Sequence, residues 1–187
     1  MLAYEIGTDD RVRSVSDGWT AFARTNGAGQ LTAEAVVGQP LLGFVSGPET
    51  RHMYEIILDR VRRTQRLMRI PYRCDSPSIR RFMELSITPA QDGGIRFESR
   101  TVREESRQAL SILNAAAAPS EEFVVVCSWC KRFRALESWL EVEDAIRRGG
   151  LFEADRMPQL THGMCSDCSA AVLREMDGTL GKESGPI

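Results

Sequence analysis

The sequence predicts an α+β protein: a sheet of five strands with helices in its first part, followed by a small four-cysteine α/β element. The order of the hydrophobic patterns supports the sheet, with two short strands, short helices, one long amphipathic helix and three further strands. A breaker, PSEE at 119–122, then separates the last third of the chain. In that third, two Cys-x2-Cys pairs with thirty-four residues between them indicate a second, smaller unit.

The elements of the predicted sheet follow from local patterns. LAYEIG and RVRSVS favour two short strands, and SDGWTAFARTNG favours a short helix that Ser16 or Asp17 caps. Residues 49–65 carry apolar residues at helical spacing and predict a long amphipathic helix. LMRIPYRCDSP, RRFMELSITPA and GIRFESRTV predict three strands, with a hairpin turn at AQDGG.

Two of these segments resemble PAS domains, a family of sensor modules with this order of elements. VRSVSDGWTAFARTNG is similar to the family's second strand and first helix. VVGQPLLGFVSGPETRHMYEIIL is similar to the segment that leads into its long helix. The resemblance covers residues 3–105 and implies a PAS-like domain over 1–107, a five-stranded antiparallel sheet with helices on one face. It also implies that this domain senses a ligand or dimerises.

Haem and flavin are not expected in the PAS-like domain. The reactive-cysteine motif of light-sensing flavin PAS domains, of the type NCRFLQ, is absent from the sequence. Cys74 lies in a predicted strand, and we interpret it as a small packed residue. His52 begins the long helix, and a lone helical histidine is more often a surface or core residue than a haem ligand.

The composition, with 42% apolar and 27% charged residues, is that of an ordinary globular protein. No apolar run approaches the roughly 20 residues that a membrane span needs, so no membrane partner is expected. The segment MLAYEIGTDD lacks the basic-then-apolar pattern of a secretory signal. We therefore expect a cytoplasmic protein, in which thiols stay reduced.

The net charge of −2 divides unevenly along the chain. Residues 51–107 carry 13 Arg against 8 acidic residues, whereas residues 108–187 carry 8 Lys and Arg against 12 acidic residues. We interpret the basic middle third as a solvated, salt-bridged face. The acidic last third does not favour nucleic acid as a partner.

The cysteines Cys127, Cys130, Cys165 and Cys168 form the strongest functional pattern. Two Cys-x2-Cys pairs supply the four thiolates of a structural zinc site, and a small unit with little core gains from such a metal. A thiol-redox switch and an iron–sulfur cluster are the alternatives. His162 is a candidate hydrogen-bond donor to a thiolate, a replacement ligand, or an ordinary turn histidine.

Two helices are predicted in this last third. ESWLEVEDAIRRGG predicts a helix with Trp139, Val142 and Ile146 on one face. CSDCSAAVLREMDG predicts a helix that begins at the second cysteine pair, where the helix macrodipole favours a thiolate.

Residues 126–170 resemble a cysteine-rich element of many bacterial histidine kinases and response-regulator proteins. The shared order is CSxC, a basic residue, an aromatic residue before an acidic helix, and then S/T-H-G-x-C-x-x-C. The matching residues are Cys127, Ser128, Cys130, Lys131, Trp139, Glu143, Thr161, His162, Gly163, Cys165 and Cys168. The resemblance implies a signalling protein as partner, such as a histidine kinase or a response regulator.

Arg73, Arg80 and Arg81 lie in the polar segment YRCDSPSIRR and predict an ion-pair network around a turn. The functional alternative is a contact to an anionic ligand or a phosphorylated partner. Trp129, between the first two cysteines, is expected to be exposed or half-buried. It then contacts a partner protein or packs against the predicted helix at Trp139.

No set of catalytic residues is recognisable in the sequence, since a glycine-rich phosphate loop, a kinase ATP-binding segment and a nucleophile elbow are all missing. We therefore expect a non-catalytic signalling or sensor protein, able to dimerise through its PAS-like domain, whose zinc element contacts a partner. The alternative is a thiol-redox sensor or oxidoreductase. The predicted organisation is a PAS-like domain at 1–107, a linker at 108–122, a four-cysteine element at 123–178 and a disordered tail at 179–187.

Overall fold

The computed structural model describes residues 2–109, 119–149 and 157–178. The predicted disordered tail lies outside the described residues, and so does most of the predicted linker. The strand β6, introduced below, begins at Pro119 and thus inside the segment predicted as linker. Within the described ranges, no helix is both long and apolar enough to cross a membrane.

The first range forms the five-stranded antiparallel sheet with helices that the sequence predicts. Its strands pair in the order β2-β1-β5-β4-β3, so the first and the last strand of this range lie side by side. The strands are β1 (Leu2–Ile6), β2 (Val12–Val15), β3 (Met68–Arg73), β4 (Ile79–Pro89) and β5 (Ile95–Ser106). The helices are α1 (Asp17–Thr25), α2 (Ala33–Val36) and α3 (Pro48–Thr64), with a short 3-10 helix at Leu41–Phe44.

One face of this sheet is apolar and packs against α3. Ile87 and Phe97 are fully buried there with Ile57 and Val61 of α3. Burial of each such side chain stabilises the fold by about 1.5–3 kcal/mol. The predicted alternation is confirmed over 83–88 of β4 and 95–98 of β5, where the apolar residues are buried and the polar residues between them are half-buried.

The opposite face of the sheet is charged. Arg96 of β5 pairs with Glu5 on β1 and with Glu98 on its own strand. Arg100 of β5 pairs with Glu84 on the neighbouring strand β4. Such exposed cross-strand pairs keep this face polar and contribute little stability each.

The last two ranges form a second sheet of four strands in the order β8-β7-β6-β9. The strands β6 and β9 are parallel, and the other neighbours are antiparallel. The elements are β6 (Pro119–Cys127), β7 (Phe133–Ala135), β8 (Ser138–Leu140), α4 (Val142–Gly149), β9 (Met157–Gly163) and α5 (Ser166–Met176).

The helix predicted over ESWLEVEDAIRRGG is wrong in its first part. Trp139 lies in β8, opposite Arg134 of β7, and α4 begins only at Val142. Leu136 and Glu137 both have positive φ, at 50° and 60°, and form the tight turn between the two strands. Neither is a residue that usually signals such a turn, so local propensity concealed the hairpin.

The two predicted domains share one hydrophobic core. Met53 and Ile57 of α3 and Ile70 of β3 lie in the same buried cluster as all four predicted metal-ligating cysteines. Val172 and Met176 of α5 complete this cluster. The cysteine-rich element therefore packs directly on the five-stranded sheet domain.

The outer edge of β3 is covered by the cysteine-rich element. The amide of Arg73 donates to the carbonyl of Trp129 at 2.7 Å, and the amide of Arg69 donates to the Glu175 carboxylate at 3.2 Å. Pro71, between them, has no amide to donate. An uncovered strand edge is a template for pairing with other chains, and here the chain satisfies both donors itself.

Gly47→Ala tests the contact between α3 and β9. Gly47 has a φ of 87°, and an added Cβ would lie 2.5 Å from the carbonyl oxygen of His162. Gly38 has a similar φ of 83° with open space around it, so Gly38→Ala is the matched control. We expect the control to lose about 1–2 kcal/mol through left-handed strain and Gly47→Ala to lose more, in urea unfolding. Equal losses would contradict a close α3–β9 contact.

Candidate metal centre

Four buried cysteine sulfurs meet between the two sheets. The Sγ atoms of Cys127, Cys130, Cys165 and Cys168 all lie within 4.8 Å of one another. The sulfurs of Cys130 and Cys165 are 3.8 Å apart. Four thiolates placed about 2.3 Å from a tetrahedral zinc ion are separated by about 3.8 Å. The donor set and its spacing therefore fit one tetrahedral metal ion.

Local backbone structure positions each cysteine pair. Cys127 ends β6, and the chain then turns back so that the Lys131 amide donates to the Cys127 carbonyl at 3.0 Å. Lys131 has a φ of 60°, which closes this turn after Cys130. Cys165 is the N-cap of α5, as the sequence predicts for the second pair, and its sulfur accepts from the Cys168 amide at 3.4 Å.

Backbone amides and a helix terminus favour negative charge on these sulfurs. The Cys165 amide donates to the Cys127 sulfur at 3.4 Å, in addition to the bond from Cys168 to Cys165. The amino-terminal end of α5 adds the positive end of its macrodipole. Such donors lower the energy of a thiolate, which is the form that binds a metal.

The thiols strongly perturb one another. Hydrogen bonds from Cys130 and Cys168 lower the pKa of Cys127 far below its usual value. The same hydrogen bonds to Cys127 raise the pKa values of Cys130 and Cys168 above theirs. Like charges this close oppose one another, so four thiolates together require a cation among them.

The cysteines of the protein are reduced and form no disulfide. All five cysteines of the chain are free, and Cys74 is half-buried outside the cluster. The four clustered cysteines are buried. A catalytic dithiol needs one partly exposed pair, whereas a closed structural metal site needs four convergent donors, which is what the fold provides.

Trp129 is not exposed, contrary to the expectation from the sequence. It is only 5% exposed, and its ring lies 5.6 Å from that of Tyr54 on α3. Beside it, the Thr50 hydroxyl hydrogen-bonds the Ser128 hydroxyl at 2.9 Å. The turn between the first two cysteines therefore packs on α3, because the cysteine-rich element docks on the sheet domain.

His162 is not one of the four clustered ligand residues. It lies on β9, beside Val126 of β6, and is half-buried. Burial and the nearby Lys131 ammonium lower the pKa of His162. Its suggested role as a hydrogen-bond donor to a thiolate stays a prediction.

The predicted arginine network exists, but it extends to acidic residues that the sequence did not connect with it. Arg73, with a side chain 5% exposed, pairs with Asp75 and with Glu141 at 2.7 Å. Arg80 pairs with Glu143 at 2.9 Å. Glu141 directly precedes α4 and Glu143 lies within it, so both arginines bridge the sheet domain to the cysteine-rich element.

Arg81 has local partners instead. Its guanidinium contacts Glu104 on the paired strand β5 at 2.8 Å and the Cys74 carbonyl at 2.9 Å. The side-chain oxygen of Asn26 accepts a further bond from it at 3.2 Å. Arg81 therefore holds the β3–β4 connection against the end of α1.

A cavity of about 200 Å³ lies beside Cys130, where these charges meet. Its walls include Arg73, Arg80, Arg103 and Glu141. The guanidinium of Arg103 also lies 4.1 Å from the ring centre of Phe82, another wall residue. The wall arginines pair with carboxylates of the chain, so the protein balances their charge itself.

The remaining candidate residue for haem lies away from the core. His52 on α3 is exposed, and its ring is 3.5 Å from the Glu55 carboxylate one turn later. A histidine on the exposed side of α3 does not face the buried space under the sheet.

Comparison with known proteins gives a partial structural similarity. No protein-family model and no curated protein matches this chain. Among solved structures, a domain of an HTR-like protein from Haloarcula marismortui ATCC 43049 is similar, at 17% identity and a TM-score of 0.38. The match covers 55% of this chain and 97% of that one.

Arg73→Ala tests how strongly the ion pairs join the two parts of the protein. The substitution removes the bridge to Glu141 and leaves the buried Asp75 carboxylate with Arg107, at 3.3 Å, as its ion-pair partner, so we expect a loss of about 1.5–3 kcal/mol. Arg100→Ala is the control, because Arg100 also pairs with a glutamate but its side chain is 63% exposed, and we expect a loss of at most about 1 kcal/mol. Urea unfolding compares the two variants. Similar losses would show that the bridge adds no more than a surface pair.

Proposed function

We propose that this chain is a non-catalytic bacterial signalling protein, in which a PAS-like sensor or dimerisation domain is coupled to a structural zinc element. The observation that carries the proposal is the convergence of four buried cysteine sulfurs within 4.8 Å, inside the core that both parts share. A metal held there links the fold of the cysteine-rich element to the sheet domain that it packs on.

Zinc suits this site better than other metals do. Four cysteine thiolates in a closed tetrahedral set are the ligands of structural zinc, which supplies folding energy and no redox chemistry. Zinc with four thiolates keeps a net charge of about −2. Lys131 and Arg132 follow the first pair directly, and the Lys131 ammonium donates to the Ser128 carbonyl at 2.8 Å. These cations oppose the residual charge.

The PAS-like assignment is supported by the element order and the antiparallel sheet. Two strands, short helices, a long helix and three strands occur in the order of the family that the sequence resembles. A PAS-like domain of this kind senses a ligand in the cytoplasm or forms a homodimer. Because the cysteine-rich element resembles one found in bacterial signalling proteins, we propose a histidine kinase or a response regulator as the partner.

The helix α3 is the route by which a signal in the sheet domain reaches the metal centre. Near its beginning, Thr50 bonds Ser128 in the first cysteine pair. Near its end, the Arg60 guanidinium bonds the Met176 carbonyl of α5. A ligand or partner that shifts α3 therefore moves both cysteine pairs together, because rigid packed elements transmit displacement.

Metal analysis of protein purified without added metal tests the zinc site. We expect about one zinc per chain, an absorbance spectrum without haem, flavin or iron–sulfur bands, and cysteines protected from alkylation until a chelator is added. Cys127→Ser lowers both the zinc content and the midpoint of thermal unfolding. Cys74→Ser, which changes a cysteine outside the cluster, leaves both unchanged.

Two outcomes would contradict this proposal. Substoichiometric zinc together with a normally folded Cys127→Ser variant removes the structural-zinc role. A reversible disulfide within one Cys-x2-Cys pair at cellular potentials, in protein without metal, instead supports the thiol-redox alternative. Light scattering over a range of concentrations measures the proposed homodimer separately.

A further inference from the structure

The outer edge of β3 and the arginines next to it form a surface that the cysteine-rich element covers. We call it the arginine surface, made of Arg69, Arg73 and Arg80. Three of the side chains that cover it are acidic, and we call them the acidic cover. They are Glu141, Glu143 and Glu175.

The contacts between the two are direct. Glu141 accepts two bonds from Arg73, at 2.7 and 2.9 Å. Glu143 accepts two bonds from Arg80, both at 2.9 Å. The Glu175 carboxylate accepts a hydrogen bond from the backbone amide of Arg69, on the edge of β3 that faces away from β4. In each arginine–glutamate pair, one guanidinium nitrogen contacts both carboxylate oxygens, and such charge-assisted hydrogen bonds are stronger than neutral ones.

These contacts explain the uneven charge of the sequence. The segment 51–107 has more arginines than acidic residues, whereas 108–187 is acidic. Without the cover, four arginines share two carboxylates: Arg73 and Arg107 contact Asp75, and Arg80 and Arg103 contact Glu105. The outward amides of β3 lose their acceptors at the same time. The uncovered surface is therefore basic and ends in an unpaired strand edge.

The cysteine cluster holds the cover in place. Glu175 lies on α5, whose N-cap is Cys165. Trp129, which accepts the Arg73 amide, lies between Cys127 and Cys130. Without a metal, the segments that carry the four cysteines are held less firmly, because a small element gains much of its folding energy from the metal that its side chains bind.

We propose that the cysteine-rich element is a metal-dependent cover over the arginine surface, and that metal loss opens this surface to an acidic, extended segment of a partner protein. The metal dependence rests on the zinc site proposed above. The chemistry of the partner follows from the present cover. Glu141 and Glu143 stand two positions apart, the spacing at which side chains share one side of a strand. An added strand with such residues satisfies both the edge amides and the arginines.

Hydrogen exchange at single amides tests the covering. In the metal-loaded full chain, the Arg69 and Arg73 amides are expected to be protected. After chelator treatment, their exchange is expected to accelerate by roughly tenfold or more, while the Phe97 amide in the central strand β5 keeps its protection. Unchanged exchange at Arg69 and Arg73 overturns the proposal, as does an equal loss at Phe97, which would mean general unfolding.

Peptide binding tests the chemistry of the partner. The probe is a fluorescent peptide with the sequence of residues 137–146, ESWLEVEDAI, and its control carries glutamine in place of Glu141 and Glu143. The acidic peptide is expected to bind the chelator-treated full chain at least about tenfold more tightly than the metal-loaded chain, and less tightly as salt rises. Equal binding to both forms, or equal binding of the glutamine peptide, overturns the proposal.

A metal-independent experiment separates this proposal from the zinc site. The double variant Glu141→Gln with Glu143→Gln weakens the cover and leaves the cysteines intact. We expect it to keep its metal content and to exchange the Arg73 amide faster than the natural chain. The control changes Glu84 and Glu98 to Gln. These two glutamates pair with Arg100 and Arg96 of β5 and not with the arginine surface, so the control is expected to leave that exchange unchanged.

The two proposals fail in different ways. If the purified protein binds no metal, the zinc site and the metal dependence of the cover both fall, and the double variant still shows whether the acidic residues protect β3. If zinc is bound and the double variant exchanges like the natural chain, the cover is wrong while the zinc site stands.

Discussion

The rest of the structure depends on four buried thiols in the hydrophobic cluster that the sheet domain and the cysteine-rich element share. These sulfurs belong to the hydrophobic cluster that contains Ile57 and Ile70 of the sheet domain. Burial of several thiolates without a cation is unfavourable, and binding of a metal ion stabilises both the thiolates and the folded state. The small second sheet, the turn at Trp129 and the helix α5 are thereby tied to the larger domain. Neither part keeps its full core without the other.

Charge complementarity acts on the same interface over a wider area. Arginines of the sheet domain, with Arg73 the most buried, meet glutamates beside and within α4. Buried pairs of this kind add less net stability than apolar contacts of similar size, but they penalise any other orientation, because a displaced arginine stays unpaired. A metal held by the four cysteines would supply binding energy, and the ion pairs determine how the element sits on the sheet. At this interface, the basic edge strand β3 lies under three glutamates of the cysteine-rich element.

The fold and the cysteine site were largely predictable from the sequence, and the interface between them was not. The strands from Met83 to Ile87 and after Ile95 follow from strict alternation, and α3 follows from helical spacing, because both depend on neighbours in the chain. The Cys-x2-Cys spacing indicated the metal ligands for the same reason. The β7–β8 hairpin was missed, since Leu136 and Glu137 adopt positive φ without the residues that normally signal it. Trp129 was misplaced, because its burial depends on Tyr54 of a distant helix.

By itself, the sequence determined the order of elements, the apolar face of the large sheet and the four candidate ligands, all of which are encoded within short segments. Only the tertiary structure decided what the middle arginines do. Arg73 and Glu141 are sixty-eight residues apart in the chain, and Arg80 and Glu143 are sixty-three apart. A local pattern reports that a charge is present, but its partner depends on how two sheets pack. The sequence alone suggested that these arginines lie on a solvated face, whereas the packing of the two sheets buries Arg73 and places it beside the cysteine cluster.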